Sequence, residues 1–408
     1  MRGCDARCQR VDRASSRRHR TLRIALLLVG LLGCVTARAS GPPEVRVLVY
    51  AGAGPIEVGP VEAPRTIRLA APGTLEIEGR GRSASWYPAG GGPWRVADRR
   101  LRGHVAVRAE DGRIEIVNHV GLEDYVASTV GGEMSAGWPR EALRAQAVAT
   151  RTYLLHQAAA ARDRSWQVRA TTSSQVYRGI EAETPETRAA ARETRGEVLT
   201  HGGEPILAVF HSTAGGRTAG AGEVWGEDRP YLRTVEVEDE VDAPHTYWRS
   251  EHAPAELEGL LEATGIHVGR LEALEVVERT PSGRVARLRI SGNAGRVVLG
   301  GREMRALLGS LQLRSTLFEI RRTERGFAFV GSGFGHGVGM SQWGARALAE
   351  KGLSHPRILA TFYPGARLER WDARRLARRL PAPTGSLASI RRGPARRGGS
   401  TGSQGDER

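Results

Sequence analysis

The sequence predicts an α+β protein with a β-rich N-terminal region, a central helical hairpin packed on mixed sheets, and a disordered, basic C-terminal tail. Residues 44–117 carry the first signal, because β-branched residues alternate or cluster there between Gly, Pro and Asp. From residue 122 the apolar spacing changes to that of a helix. After Trp371 the composition turns to Arg, Pro, Gly and Ser, and we expect disorder over residues 381–408.

The first 39 residues have the organisation of a secretory signal peptide. An Arg-rich stretch that ends at Arg23 precedes the apolar run IALLLVGLLGCV, which is too short to cross a bilayer, and small residues follow it. Cleavage after Ala39 would release a soluble protein. Alternatively, LLGC would make Cys34 a lipid-modified N-terminus. Either way, we expect an exported protein of the periplasm or cell envelope with no transmembrane helix in its mature chain.

The net charge of +15 is concentrated at the two ends of the chain. Residues 1–39 carry +7 and residues 371–408 carry +6, which leaves +2 for residues 40–370. A body so close to neutral does not favour a nucleic-acid partner.

All three cysteines lie within residues 1–39, so the rest of the chain offers no disulfide, thiol nucleophile or thiolate metal site. We also predict no cofactor.

A helical hairpin is predicted at the start of a second domain, which we place at residues 118–370 after a β-rich region at 40–117. The first helix has an apolar face at helical spacing and ends near Gly131–Gly132. Pro139 suits the first turn of a second helix that runs to about Ala161. The hairpin places Glu133 near its corner.

Weaker patterns predict the elements that follow the hairpin. They are a strand at 205–212, a helix at 254–270, strands at 273–278, 285–290 and 296–299, a helix at 301–309, strands at 315–321 and 326–330, and a helix after Trp343 that Gly352 ends.

Glu133 is the first candidate for chemistry. A carboxyl group at a helix corner beside Met134 and Trp138 is partly desolvated, which raises its pKa and suits a general acid. The alternative is a solvated glutamate near a helix end.

His211 and His336 could each bond a sugar or a catalytic carboxylate, or could be local hydrogen-bonding residues. The case for a metal is weak, because neither histidine has a cysteine or a nearby acid.

The segment GFGHGVG at residues 333–339 is unusual because its glycines alternate with larger residues. Alternating glycines make a poor strand, so the segment is either a loop whose backbone approaches a ligand or a tight structural corner. It lacks the Lys-Ser/Thr ending of a phosphate loop.

Ser212 and Ser341 lie outside any G-x-S-x-G elbow, which argues against a serine hydrolase.

Four segments resemble the family of stage II sporulation protein D and the related amidase enhancers. In the order of that family they are VGLEDYVASTVGGEMSAGWPREALRAQAVATRTYLL, TTSSQVYRG, FHSTAGGRTAGAGEVWGEDRPYLRTV and GFGHGVGMSQWGARALAEKG with ILATFYPGARL. The resemblance implies an exported lytic transglycosylase that cleaves peptidoglycan glycan strands, with Glu133 as its catalytic residue. Glu133 would protonate the glycosidic oxygen and then take the proton of the muramic acid C6 hydroxyl, which leaves a 1,6-anhydro end. No water is activated, so a second carboxylate is dispensable.

The resemblance also implies a substrate groove near Glu133, formed in part by the loop at 333–343, whose glycines would let backbone amides approach the glycan. The polar residues that we assign to this groove are Gln146, Arg151, Tyr177, His211, Ser212, His336, Ser341 and Gln342. The competing function is that of the amidase enhancers, which bind wall glycan and stimulate a partner amidase without cutting the glycan.

The sequence departs from the family at two places. Some members hold zinc just before the Q-V-Y segment, but RATTSSQVY has neither Cys nor His, so we predict no zinc there. Relatives often have helix-forming residues where this chain has Gly131–Gly132, from which we expect a looser backbone before Glu133.

Overall fold

The computed structural model describes residues 42–380 except for 238, 239 and 241. The predicted signal peptide at 1–39, with Cys34 and Ala39, and the predicted tail after residue 380 lie outside the described residues. The described part contains both helices and sheets and confirms the α+β fold class.

The strands are β1 (Glu44–Gly52), β2 (Ile56–Pro60), β3 (Arg65–Ala71), β4 (Thr74–Ile77), β5 (Gly81–Ser83), β6 (Ser85–Trp86), β7 (Trp94–Val96), β8 (Arg99–Leu101), β9 (His104–Glu110), β10 (Arg113–Gly121), β11 (Val168–Arg169), β12 (Glu197–His201), β13 (Glu204–Pro205), β14 (Phe210–His211), β15 (Trp248–His252), β16 (Leu271–Arg279), β17 (Val285–Gly292), β18 (Gly295–Gly300), β19 (Phe318–Thr323), β20 (Gly326–Gly331), β21 (Met340–Ser341) and β22 (Arg367–Arg370). The α-helices are α1 (Leu122–Glu133), α2 (Arg140–Ala160), α3 (Pro185–Glu193), α4 (Ala221–Trp225), α5 (Pro254–Ala263), α6 (Gly301–Ser310), α7 (Gln342–Glu350), α8 (His355–Phe362) and α9 (Ala373–Arg379), and a 3-10 helix spans Gly179–Ala182.

The N-terminal region consists of strands, as predicted. Strands β5-β4-β3-β2-β7-β8 form one antiparallel sheet, and β11-β1-β10-β9-β6 form a second sheet. The second sheet is mixed, because β1 pairs antiparallel with β10 and parallel with β11. Alternating apolar side chains such as Val45 and Val47 are fully buried, and burying one such side chain contributes about 1.5–3 kcal/mol.

The predicted helical hairpin is confirmed. Helix α1 ends at Glu133, and α2 begins at Arg140 immediately after Pro139. Small alanines and larger residues such as Leu143 and Leu154 are buried along α2, so it packs against α1, α3, β12, α7 and α8 in the main hydrophobic core. Side chains from both halves of the chain therefore fix the hairpin in place.

The two glycines before Glu133 are required for close packing, which corrects the expectation of a looser backbone. A Cβ at Gly131 would lie 1.9 Å from the Ala182 carbonyl oxygen, and one at Gly132 would lie 2.2 Å from the Val176 carbonyl oxygen. The chain at 176–182 therefore packs directly on the last turn of α1, at a distance that no larger residue permits.

A second hydrophobic core lies within residues 248–331, where we predicted a single domain over 118–370. Strands β15–β20 with helices α5 and α6 surround it, and its members include Leu288, Ile290 and Phe329. The segment is inserted between β14 and β21, which pair with each other in parallel. We call residues 248–331 the inserted subdomain.

Two predicted elements differ from the structure. The strand expected at 205–212 is paired only at its ends, because the Ala208 and Val209 amides bond the carbonyls of Ile206 and Leu207 two residues back instead of a neighbouring strand. The helix expected over 254–270 ends at Ala263.

The packed structure continues past the predicted boundary at residue 370. Trp371 is buried, Arg375 lies over its ring at 3.8 Å, and Asp372 caps helix α9. Trp371 belongs to the main hydrophobic core together with Leu376 and Leu380, and the Arg375 guanidinium stacks on the outer face of its indole. None of the helices in the described ranges is long and apolar enough to span a membrane.

We expect Gly132→Ala to destabilise the protein, since the new Cβ would overlap the Val176 carbonyl, and overpacking costs about 1–3 kcal/mol. Gly259→Ala is the matched control, because it is a helical glycine with open space around it and gains up to about 1 kcal/mol from helix propensity. Urea unfolding of both variants measures the two effects. Equal effects in both variants would contradict the close approach at Gly132.

Candidate active site

Glu133 lies where α1 ends, between the chain at residue 176 and the start of α7. Its Oε1 accepts a 2.8 Å hydrogen bond from the Val176 backbone N–H. Its Oε2 lies 3.4 Å from Nε2 of Gln342, which is the first residue of α7. The predicted approach of the C-terminal signature to the hairpin corner is therefore made through Gln342.

The surroundings of Glu133 change its acidity in two opposing directions. Burial raises the pKa of Glu133 and is the largest influence. The hydrogen bonds from Val176 and Gln342 and the charge of Arg178 lower the pKa but only partly offset the burial. The side chain stays partly exposed, so this carboxyl group keeps its proton to a higher pH than an ordinary glutamate and can still be reached.

Two tryptophans stand beside this corner. The rings of Trp138, shortly after Glu133, and Trp343, next to Gln342, meet edge to face with centroids 4.9 Å apart. The Arg346 guanidinium lies over both rings, 4.8 Å from Trp343 and 5.6 Å from Trp138. Both rings are partly exposed, so they offer an aromatic surface at the hairpin corner.

The glycine-rich segment packs against protein. Thr213 and Phe334 exchange two backbone hydrogen bonds of 3.1 and 2.9 Å, and Ala219 N–H bonds the Gly337 carbonyl at 2.7 Å. Gly339 has a φ of +72°, and a Cβ there would lie 2.1 Å from the Val209 carbonyl oxygen. The structure therefore favours the tight-corner interpretation: the segment needs glycine to lie against the chain at 209–219 and so brings Gln342 to Glu133.

A buried glutamate, Glu240, fixes this arrangement. Its carboxylate accepts 2.8 Å hydrogen bonds from the backbone N–H groups of Ala214 and Gly215, and it also accepts the Ser341 hydroxyl. Ser341 Oγ in turn caps α7 by accepting from Gly344 N–H. Ser341 is fully buried and is a helix cap, where we had expected a substrate contact.

The structure places three other predicted groove residues inside the protein, where they are buried and bonded to neighbouring groups. Arg151 pairs with Glu123 at 2.6 Å and donates to backbone carbonyls of the α3–β12 region. Gln146 donates to a neighbouring hydroxyl in α2. Tyr177 donates to Asn118 and stacks on Tyr125. These hydrogen bonds join packed elements inside the protein, although Gln146 Oε1 and Arg151 Nε have no hydrogen-bond partner within the described residues.

The two histidines lie together, with ring centroids 5.5 Å apart, on the Gly-rich segment and β14. Val338 bonds both rings, through its carbonyl to His211 Nδ1 and through its N–H to His336 Nδ1. Burial lowers the pKa of His211 and lowers that of His336 to about 4, so both are neutral near pH 7. Ser212 is partly exposed, and its carbonyl accepts the Trp343 N–H.

Of the eight predicted groove residues, Gln342 is the one with a recorded hydrogen bond to Glu133. The Val176 N–H and Glu240 are contributors that the sequence did not indicate. A backbone amide has no sequence signal, and Glu240 stands in an acidic run of the kind that is usually exposed. Among the residues that the structure describes, no group of three His, Cys, Asp or Glu side chains could hold a metal ion.

The fold and the site define an α+β protein that holds one partly buried glutamate at the corner of a helical hairpin, beside two tryptophans. The family model of Stage II sporulation protein matches residues 110–201, which include α1, α2 and α3. Residues 231–339 match a domain of unknown function (DUF8618), and this range contains the inserted subdomain.

Relatives agree with the family model. The chain is 33% identical over 251 residues to an uncharacterised protein of Brachyspira hyodysenteriae, which covers 61% of this chain and 67% of that protein. It is 32% identical over 273 residues to the stage II sporulation protein D of Bacillus subtilis, covering 63% and 77%. A 29% identical match to the amidase enhancer of Bacillus subtilis covers 59% of this chain but only 39% of that protein. The chain therefore belongs to the family of stage II sporulation protein D and the amidase enhancers.

We expect Glu133→Gln to raise the free energy of unfolding near pH 7. The folded-state pKa of Glu133 is raised, so its ionised form destabilises the fold, and glutamine removes that charge while still accepting from Val176 N–H. The gain should shrink as the pH falls through the raised pKa and disappear below the ordinary glutamate pKa. Denaturation at several pH values, with exposed Glu262→Gln as control, measures the difference. A gain that does not depend on pH would contradict the raised pKa.

Proposed function

We propose that this protein is an exported lytic transglycosylase of peptidoglycan glycan strands, in which Glu133 acts first as general acid and then as general base. The observation that carries the proposal is the Glu133 carboxyl group: burial raises its pKa, its Oε1 accepts a hydrogen bond from the Val176 N–H, and its Oε2 lies next to Gln342. Family membership supports a protein of this type, and the predicted signal peptide supports action outside the cytoplasm.

In the first step the carboxylic acid of Glu133 protonates the glycosidic oxygen. The Val176 N–H donates to Oε1 at 2.8 Å, whereas the Gln342 amide lies 3.4 Å from Oε2, so the proton is placed on Oε2, the less strongly engaged oxygen. As the C1–O bond breaks, its electron pair stays with the leaving oxygen, which takes the proton. Positive charge then develops at C1 and the ring oxygen, and Glu133 becomes a carboxylate.

In the second step that carboxylate removes the proton of the muramic acid C6 hydroxyl. The C6 oxygen attacks C1, which closes the 1,6-anhydro ring and returns the proton to Glu133. The Val176 N–H, the Gln342 amide and the Arg178 charge all favour the ionised form of Glu133 that this step needs. No water enters the product, so the reaction requires no second carboxylate to activate it.

The tryptophan pair provides the surface on which the sugar would lie. Trp138 lies in the turn that follows Glu133, Trp343 directly follows Gln342, and both side chains are partly exposed. Flat aromatic faces pack against the apolar face of a sugar ring, and the Arg346 guanidinium holds both rings in place.

The second candidate function is a glycan-binding protein that stimulates a partner amidase and cuts nothing. The similarity to a protein named amidase enhancer favours it, and the same aromatic surface would serve binding alone. The two functions differ in whether Glu133 is needed for a chemical product, so a product assay separates them.

We expect the mature chain to release 1,6-anhydromuramic ends from peptide-free or peptide-bearing glycan strands. Glu133→Gln should lower the rate by about 10²–10⁴-fold, since it cannot transfer the proton. Glu262→Gln, an exposed helical glutamate, is the matched control and should keep full activity. Mass spectrometry of the products identifies the ends.

Other product patterns would decide against the proposal. Products with reducing ends would show that the glycan is hydrolysed, a reaction for which a second carboxylate would have to activate water. Glycan binding without cleavage by parent and variant alike, together with stimulation of an added amidase, would establish the enhancer function.

A further inference from the structure

A cavity of about 280 Å³ lies between the glycine-rich segment and the inserted subdomain. Gly335 and His336 line it from the segment, and Arg284, Met304 and Gly309 line it from the subdomain. Its size is near the lower end of the roughly 300–1,000 Å³ range of ligand pockets, which suits one sugar unit better than a glycan strand. Nothing in the mechanism above uses this cavity.

Arg284 is the unusual residue of the cavity. It is only 2% exposed, and its Nη2 donates to the Ala214 carbonyl at 2.9 Å and the Arg217 carbonyl at 3.4 Å. Its Nε and Nη1 have no hydrogen-bond partner within the described ranges. Burying charged donors without acceptors is costly, so a group that supplied acceptors here would be bound favourably.

The guanidinium is held in a fixed position. A Cβ at Gly337 would lie 2.3 Å from Nη2 and 2.4 Å from Cζ of Arg284, so the guanidinium packs directly on this glycine. Burial lowers the pKa of Arg284 to about 10, which still leaves it positively charged near pH 7. A rigid charge that is already desolvated loses little conformational entropy when it binds an anion.

The acidic residues near Arg284 are already engaged. Glu223 also lines the cavity, but its Oε1 accepts from Gly220 N–H and the Thr234 hydroxyl, and its Oε2 accepts from the N–H and hydroxyl of Ser282. These donors hold the pKa of Glu223 at about 2. Glu240 is likewise engaged by the backbone at 214–215 and by Ser341.

We propose that this cavity is a second glycan subsite, in which Arg284 binds the carboxylate of an acidic amino sugar. The sugar class rests on the proposed function, because a muramic acid without a stem peptide carries a free carboxylate that its neighbouring N-acetylglucosamine lacks. Trp225, which is 42% exposed, lies with its ring 5.3 Å from that of His336 and supplies an aromatic face at the cavity margin. The inserted subdomain is thereby part of substrate recognition.

The test is titration of the mature protein with four probes: N-acetylmuramic acid, its methyl ester, N-acetylglucosamine and inorganic phosphate. Isothermal calorimetry should show binding of the acid at least ten times tighter than binding of the ester or the neutral sugar. Equal binding of acid and ester would overturn the role of Arg284. Binding of phosphate without binding of the acid would overturn the assignment to a sugar.

Two glycine variants locate the site without removing the buried arginine. Gly309→Trp places a ring in the cavity from a helical position where a Cβ meets no atom within 4 Å, and it should weaken binding of the acid at least tenfold. Gly259→Trp, at an equally open helical glycine of the same subdomain outside the cavity lining, should leave binding unchanged. Unchanged binding in Gly309→Trp would overturn the proposal.

These outcomes are independent of the chemistry at Glu133. The titration measures binding without cleavage, so it does not depend on proton transfer by Glu133. If the protein binds N-acetylmuramic acid at this cavity but releases no anhydro ends, the subsite proposal stands and only the transglycosylase proposal is contradicted.

Discussion

The close contact between the last turn of α1 and the chain at 176–182 is the constraint on which the candidate site depends. It exists because Gly131 and Gly132 have no side chains at the points where the Ala182 and Val176 carbonyls approach. The same approach points the Val176 N–H at Glu133 Oε1 and removes part of the water around the carboxyl group. Packing and acidity at this corner thus have one cause, and a helix with good helix formers at both positions could not provide them.

A second contact brings in the other half of the site from about two hundred residues away in sequence. The Glu240 carboxylate joins the backbone at 214–215 to the Ser341 hydroxyl, and Ser341 begins α7. Gln342 and Trp343 follow at once, so the position of the helix start sets their distance from the hairpin. A buried carboxylate is tolerated here because three donors satisfy it.

Local patterns predicted much of the fold and the position of Glu133 at the hairpin corner. The hairpin and Glu133 at its corner could be predicted because helical periodicity, proline and glycine act over a few residues. The burial of individual side chains could not be predicted, because it depends on contacts between residues that are distant in sequence. Arg151 and Tyr177 were assigned to a groove as polar residues, yet they satisfy Glu123 and Asn118 inside the protein. The inserted subdomain went unrecognised for the same reason, since its strands and helices were predicted without their separate core.

The balance of influences on Glu133 explains why this residue, among the titratable groups at the site, suits a two-step proton transfer. A group that must first give a proton and then take one has to reach both its protonated and its ionised form. Its pKa must therefore be raised, but not so far that the ionised form is inaccessible. Burial raises the pKa of Glu133, while Val176, Gln342 and Arg178 oppose that effect. His336 is the instructive contrast: burial lowers its pKa to about 4, so it stays neutral near pH 7 and has no proton to give as an acid. The opposing effects of burial and hydrogen bonding therefore make Glu133 the candidate for both acid and base chemistry at this site.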